Sequence, residues 1–454
     1  MKWAGSILVN GILIVAIGGL VHAVRSFAPG SGGASSASTA LALGCVMLMA
    51  FFAGKFFSSL RLPRLTGYLV IGLVIGPSVL GFMTEESVAD LKLVNGVAIS
   101  LIALTAGGEL NFRAMRPLMR SIVSITTLGA LSTAVALSVV VFAMQGLLPF
   151  MKSLTFVQTG AVALVLGIAL SAMSPAVAVA LRNELNAEGP VSRTVLGVVV
   201  LYDMVAILLF ALASALVNYL IPSEEGGVTA ARVAWELLGS LGVGFVMGAI
   251  LSLFLAKIKG GTELIILLLC IVIAEVGGRV HLDPLIVALA AGVFIQNLTK
   301  SGERLIKAIE EASLPVYVLF FAVAGATIHL DVLLVVGIPA VILVLVRAGT
   351  YLATTSLATR IAGAPPSAVK YVGFGLLPQA GLALAIAMIV ARAFPTFGEG
   401  ASALVFGIVG VNEVDMPVFY RWALVRAGEV KGEEAEKAPP PAAEPAPPPA
   451  PAGV

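Results

Sequence analysis

The chain has 454 residues, of which 59% are hydrophobic and 11% are charged, and its mean hydropathy is +1.05. This composition excludes an ordinary soluble fold and predicts an all-α polytopic membrane protein. Lys and Arg total 27 against 25 Asp and Glu, so no polybasic surface for nucleic acid is indicated. The two cysteines, Cys45 and Cys270, lie in separate apolar runs and predict neither a disulfide framework nor a cysteine metal site.

Apolar runs separated by short polar turns predict 13–14 transmembrane helices, each about 20 residues long. The first run follows Lys2 and contains a Val21-His22-Ala23 triplet, so residues 1–38 are either an extra N-terminal helix or a cleaved signal, followed by an outside linker. The runs are 5–24, 39–57, 65–82, 91–110, 121–150, 155–181, 194–221, 233–256, 264–280, 284–298, 314–329, 332–358, 368–391 and 401–422.

The distribution of positive charge predicts the orientation of these helices. If Met1 starts inside, twenty Lys and Arg residues fall on the inner side and six on the outer side, and Arg347, which lies inside a span, is assigned to neither side. Cytoplasmic loops retain positive charge, so the C-terminus is expected to be cytoplasmic. Residues 429–454 are rich in Pro and Ala and predict a disordered cytoplasmic tail.

Two predicted spans are interrupted in matching ways. The sixth contains Ser171-Ala172-Met173-Ser174-Pro175, and the thirteenth contains Leu376-Leu377-Pro378-Gln379-Ala380-Gly381. Proline breaks a helix, and broken backbone is tolerated at membrane depth only where protein or a water-filled cavity covers it. Paired interrupted spans are typical of transporters built from inverted repeats. We therefore expect two five-helix repeats, 65–221 and 284–422, whose discontinuous helices cross at Pro175 and Pro378.

Asp203 is a carboxylate in the middle of the seventh span, which follows the first interrupted span. A charge at the bilayer centre costs roughly 2.5–3.5 kcal/mol or more, which indicates a functional role. A carboxylate binds a small cation through oxygen when ionised and a proton when neutral. Asp203 is thus the predicted site of a monovalent cation and of H+, and the chain is predicted to be a transporter rather than an enzyme.

Arg347 is the basic residue that lies within a span, and it needs a partner there. The candidate acids are Asp203, Glu275, Glu109 and Glu413. We expect Arg347 to belong to a structural ion pair, with Glu275 either as its partner or lining the entrance to the site.

Several motifs, taken in order, resemble one family. They are LTGYLVIGLVIGPSVLGF from Leu65, LTAGGEL from Leu104, SPAVAVALRNEL followed by LGVVVLYDMVAI, LPVYVLFFAVAGATIHLDVL from Leu314, and GLLPQAGLALAIA from Gly375. Together they resemble the monovalent cation/proton antiporter superfamily, in particular the bacterial sodium/proton and potassium/proton antiporters that include the membrane domain of glutathione-gated potassium efflux systems. The resemblance covers residues 39–428.

This resemblance implies a homodimer in the bacterial inner membrane, with a dimerisation domain and a mobile core that moves by an elevator mechanism. It implies Na+ or K+ and H+ as substrates, without a choice between the two cations, and no cofactor. The ion- and proton-binding residues that it implies are Asp203, Tyr202, Ser174, Met173 and Gln379.

The chain departs from electrogenic members of the family at two places. Tyr202 stands where they carry a second acid, and Gly349-Thr350 stands where they carry a Gly-Lys pair. One titrating carboxylate remains, so electroneutral exchange of one cation for one proton is expected. Two alternatives stay open: a ligand-gated or channel-like K+ efflux protein, with a separate regulatory subunit in place of a nucleotide-binding domain, and a sensor that kept the fold without transport.

Overall fold

The computed structural model describes residues 2–27, 36–83, 91–221, 235–257, 261–280, 282–328, 330–379, 381–394 and 396–430. Regular structure in these ranges is helical. We number the main helices α1 Lys2–Phe27, α2 Ser36–Ser59, α3 Arg64–Ile75, α4 Lys92–Glu109, α5 Phe112–Ala143, α6 Phe156–Ser171, α7 Pro175–Glu184 and α8 Pro190–Leu220. The others are α9 Ser240–Lys257, α10 Thr262–Val280, α11 Pro284–Leu298, α12 Gly302–Ala326, α13 Leu330–Ile361, α14 Pro366–Gly375, α15 Gly381–Ala393 and α16 Gly398–Arg426.

Each predicted span overlaps a helix, and each of the two interrupted spans overlaps two helices. Within the described ranges, six helices are long and apolar enough to cross a membrane by themselves. They are Phe112–Ala143, Phe156–Glu184 (α6 and α7 taken together as one span across their break), Pro190–Val217, Ser240–Lys257, Gly337–Ile361 and Gly398–Arg426. The all-α polytopic membrane fold predicted from composition is confirmed.

The helices pack into two groups. The core group contains α5–α8 and α13–α16, and therefore both interrupted spans, whereas the flanking group contains α1–α4 and α9–α12. The two groups meet mainly where α7 contacts α4 and where α16 contacts α3. A few helix pairs thus form most of the boundary between the groups.

Small residues let α9 approach α11 closely inside the flanking group. A Cβ atom on Gly244 would lie 2.5 Å from the carbonyl oxygen of Val287, and one on Gly248 would lie 2.8 Å from that of Ala291. Both distances are shorter than a van der Waals contact, so only glycine fits at these two positions. This packing fixes α11 within the flanking group, as expected where small residues line a helix interface.

The packed chain extends beyond the predicted start of the C-terminal tail at residue 429. Glu429 and Val430 are buried, and the Glu429 carboxylate accepts hydrogen bonds from the backbone N–H groups of Val191 (2.5 Å) and Ser192 (2.8 Å). These N–H groups belong to the first turn of α8, where a helix has donors without internal partners and favours negative charge. The tail prediction is therefore wrong for these two residues, and 431–454 lie outside the described ranges.

Candidate cation site at the two helix breaks

The first helix break separates α6 from α7. Helix α6 ends at Ser171, and Ala172 and Ser174 are extended, with ψ angles of 149° and 102°. Proline disfavours helical geometry in the residue before it but fits the first position of a new helix. Accordingly, Pro175 begins α7, and the Ser174 hydroxyl accepts a hydrogen bond from the Val177 N–H at 3.2 Å as the N-cap.

The second break, between α14 and α15, lies against the first. The Gln379 side chain donates a hydrogen bond from Nε2 to the carbonyl oxygen of Leu170 at 3.1 Å, in the last turn of α6. Its Oε1 accepts a hydrogen bond from Nδ2 of Asn412 at 2.9 Å. Gln379 follows Pro378 directly, so the structure brings the two proline-containing segments into contact.

Arg347 of α13 joins the two breaks. Its guanidinium donates to the carbonyl oxygens of Leu170 (2.8 Å) and Ala172 (2.8 Å) at the first break, and to those of Leu377 (2.5 Å) and Leu376 (3.4 Å) at the second. Carbonyls at a helix C-terminus lack internal donors and carry partial negative charge. A fully buried cation is thus compensated by two half-helix ends.

Glu275 does not contact Arg347, so the expected Arg347–Glu275 ion pair is wrong. The Glu275 carboxylate instead accepts hydrogen bonds from Arg279 one turn later in α10, and both side chains are largely exposed. Glu275 also does not line the cavity described below. The physical reason is that backbone carbonyls already satisfy the guanidinium of Arg347.

Tyr202 also lies at the crossing. Its hydroxyl forms a hydrogen bond with the Ser171 hydroxyl, and the hydroxyl of Tyr351 donates to the Ser171 carbonyl oxygen. Both tyrosines are fully buried. Tyr202 therefore holds α8 to the end of α6.

A cavity of about 180 Å³ lies between the core and flanking groups, beside the starts of α7 and α15. Its lining is apolar apart from three polar side chains, those of Ser174, Asp203 and Asp283. No Lys, Arg or His is among the described residues that line it. The charged groups of this wall are therefore both carboxylates.

Asp203 faces this cavity from the middle of α8. Val200, Met204 and Ile207 line the cavity with it, which is the spacing of one helix face. Tyr202 is one residue earlier and so points about 100° away, toward the crossing. Asp203 is 6% exposed, and its Oδ1 atom is buried without a hydrogen-bond partner. An unpaired buried carboxylate oxygen is costly. The Oε1 atom of Glu413 is also buried without a partner, but Glu413 does not line the cavity, so Asp203 is the carboxylate that combines both features.

The structure separates the five predicted ion-binding residues into two sets. Asp203 and Ser174 line the cavity, with Pro175 beside them, whereas Met173, Tyr202 and Gln379 do not. Sequence reasoning missed Asp283, which lines the cavity as the N-cap of α11. An Asp-Pro pair at the start of an apolar run is a helix-start signal that gives its position but not what it faces.

The boundary between the groups is closed at the other end of α7. Arg182 of α7 forms an ion pair with Glu109 at the end of α4. Glu184, the last residue of α7, accepts a hydrogen bond from the Arg64 N–H at 2.6 Å, in the first turn of α3. The core and flanking groups thus enclose a cavity at the N-terminus of α7 and are tied by polar contacts at its C-terminus.

Comparisons with known proteins agree with this architecture. The chain is 26% identical over 356 residues to the Na(+)/H(+)-K(+) antiporter GerN of Bacillus cereus, covering 75% of this chain and 85% of the relative. It is 23% identical over 357 residues to the probable Na(+)/H(+) antiporter GerT of the same organism, covering 75% and 88%.

Two structures of the sodium proton antiporter MjNhaP1 from Methanocaldococcus jannaschii share the fold. The structure at pH 8 gives a TM-score of 0.61 at 16% identity, covering 87% of this chain and 100% of that chain. The structure from a 3D EM map gives 0.69 at 15% identity, covering 88% and 100%.

A model of the transmembrane sodium/hydrogen exchanger family matches residues 46–412. This match spans most of the chain, including both helix breaks, Arg347 and the cavity. The chain therefore belongs to the sodium/hydrogen exchanger family, within the monovalent cation/proton antiporter superfamily.

Proposed function

We propose that the protein is a secondary transporter that exchanges Na+ or K+ for H+ across the membrane, with Asp203 as the shared site. The observation that carries this proposal is the buried, unpartnered Oδ1 of Asp203 on the wall of a cavity whose described lining residues include no Lys, Arg or His. The relatives add the substrate class, since one is named as an Na(+)/H(+)-K(+) antiporter.

The chemistry follows from competition for one carboxylate. Oxygen atoms suit a small hard cation, and a proton bound at the same group removes the negative charge that holds the cation. The N-termini of α7 and α15, at Pro175 and Gly381, point their partial positive charge toward the cavity and stabilise the ionised form of Asp203. Arg347 does not take part, because its donors are used by carbonyls.

Alternating access is supported by the unequal ends of α7. The cavity lies at its N-terminus, and the Arg182–Glu109 pair lies at its C-terminus. With the orientation expected from positive charge, the cavity faces outward and the ion pair closes the cytoplasmic side. Movement of the core group against the flanking group would break this pair and carry Asp203 to the other side.

We further propose that two copies assemble as a homodimer in the bacterial inner membrane, with the C-terminus in the cytoplasm.

The proposed site is consistent with exchange of one cation for one proton. Tyr202 replaces a second acid and points toward the crossing, so Asp203 is the carboxylate of the core group that lines the cavity. Which cation is carried depends on hydration in the cavity, and the proposal covers both Na+ and K+.

The proposal is tested with purified protein in proteoliposomes. Addition of Na+ or K+ should drive proton movement through the wild type, and Asp203→Asn should reduce it to the level of empty liposomes. Glu399→Gln, which removes an exposed carboxylate from the first turn of α16, is the matched control and should keep wild-type exchange. Exchange by Asp203→Asn at the wild-type rate would overturn the proposal.

Electroneutrality is tested separately in the same liposomes by clamping the membrane potential with valinomycin and K+. The exchange rate with Na+ should stay unchanged between zero and an imposed inside-negative potential. A rate that follows the potential would contradict one-for-one exchange and leave the role of Asp203 standing.

A further inference from the structure

We propose that Asp283 is a second cation-attracting carboxylate, which holds the transported cation opposite Asp203 from the flanking group. The proposal rests on the proposed antiport function and adds a residue that determines cation affinity. The two carboxylates belong to different helix groups, so a movement of one group against the other would separate them.

Asp203 and Asp283 line the same cavity. Asp203 lies in α8 of the core group and Asp283 at the start of α11 in the flanking group, and both line the same cavity of about 180 Å³. The other polar lining side chain, Ser174, already accepts a hydrogen bond from Val177. Among the described lining residues, a cation that enters therefore meets two carboxylates, one hydroxyl and apolar side chains.

The charge balance at the cavity explains why a second carboxylate would strengthen the attraction of a cation. Two half-helix N-termini, those of α7 and α15, end at the cavity, and each contributes roughly half a positive charge. Both oppose a bound cation and so weaken the attraction that Asp203 alone exerts on it. A second carboxylate restores a net negative field in an apolar surrounding, where screening is weak.

Asp283 also has a structural role that the test must separate. Its Oδ1 accepts a hydrogen bond from the Leu285 N–H at 2.8 Å, which caps α11, and its own N–H donates to the Ser240 hydroxyl at 2.9 Å. A carboxylate accepts several bonds at once, so capping and cation attraction are compatible. Asn and Ser cap helices about as well as Asp, so Asp283→Asn and Asp283→Ser remove the charge and keep the cap.

The experiment compares wild type, Asp283→Asn, Asp283→Ser and the control Glu399→Gln in proteoliposomes. Both Asp283 variants should raise the apparent KM for Na+ and K+ about tenfold, as expected for loss of one nearby unit charge in a partly shielded site. The maximal rate at saturating cation should stay within about twofold of wild type, since the carrier carboxylate Asp203 is intact. Glu399→Gln should change neither value.

A second measurement does not depend on transport. Na+ or K+ added to the detergent-purified full-length protein should raise its unfolding temperature, because a ligand of the folded state stabilises it. Asp283→Asn should need about tenfold more cation for the same shift, in line with the change in KM.

The outcomes separate this inference from the antiport proposal. Wild-type KM and wild-type thermal shifts in both Asp283 variants would overturn it, as would loss of the maximal rate at unchanged KM. If wild type moves no protons, the antiport proposal fails, and the thermal shifts still decide whether Asp283 contributes to a cation site. Absence of any cation-induced shift in wild type would overturn the inference.

Discussion

Buried polar groups are fully hydrogen-bonded where the broken helices cross, but not at the adjacent cavity. At the crossing, Arg347 donates to four carbonyl oxygens and Gln379 is bonded at both ends of its amide. At the cavity, one oxygen of Asp203 has no partner. Consecutive residues of α8 face the two regions, since Tyr202 points to the crossing and Asp203 to the cavity. We therefore assign the fully bonded Arg347 guanidinium a structural role and propose that the Asp203 carboxylate, with its unpaired oxygen, binds a ligand.

The two regions should therefore fail in different ways when they are changed. A buried hydrogen-bond acceptor that loses its donor costs about 1–3 kcal/mol, so changes at the crossing act on folding. Neutralising an unpartnered carboxylate removes a desolvation cost, so changes at the cavity act on transport and leave stability equal or higher.

The largest expected effect on stability is that of Arg347→Met. It removes the donors of four buried carbonyls and should lower the free energy of unfolding by about 3 kcal/mol or more. Thermal unfolding of the purified protein in detergent measures the change. Arg360→Met, in the exposed last turn of the same helix, is the matched control and should shift the midpoint little.

A stable, correctly folded Arg347→Met protein would contradict the structural role assigned to Arg347. It would mean that the carbonyls at the two breaks find water or other donors. The guanidinium would then be free for a role in transport.

A smaller effect on stability is expected for Tyr202→Phe. This variant tests whether two neighbouring residues, Tyr202 and Asp203, have different roles. Loss of the hydroxyl removes one hydrogen bond to Ser171 and should cost about 1 kcal/mol of stability. The KM for the cation should stay at the wild-type value. Tyr351→Phe, which also loses one bond to Ser171, should behave alike.

A cation KM that rises in Tyr202→Phe but not in Tyr351→Phe would contradict the assignment of Tyr202 to the crossing. That result would return Tyr202 to the ion-binding set expected from the family resemblance. Liposome flux across a range of cation concentrations gives both values.

Much of the fold was predictable because membrane helices have a strong local signal. Apolar length marked the helices, and Pro175 and Pro378 marked the breaks, since proline acts on its own backbone and on the turn before it. Asp203 was predictable for the same reason, as a charge within an apolar run. These signals need no knowledge of tertiary contacts.

The partners of these residues were not predictable in the same way. A buried Arg347 predicts an acidic partner, whereas the structure supplies carbonyls from helix ends that are far apart in the chain. The sequence did indicate such partners for Arg347, because two interrupted helices leave eight C-terminal carbonyls without internal donors. Asp283 was missed because its start-of-helix position explains it locally, and only the packing of α11 brings it to the cavity.

In the proposed mechanism a cation and a proton compete for Asp203. Proton release on cation binding measures this competition most directly. Na+ or K+ is added to detergent-purified protein in weakly buffered solution, and the released protons are titrated with a pH indicator. Wild type should release about one proton per cation bound, and Asp203→Asn should release none. Cation binding by wild type without proton release, or equal release by Asp203→Asn, would contradict it.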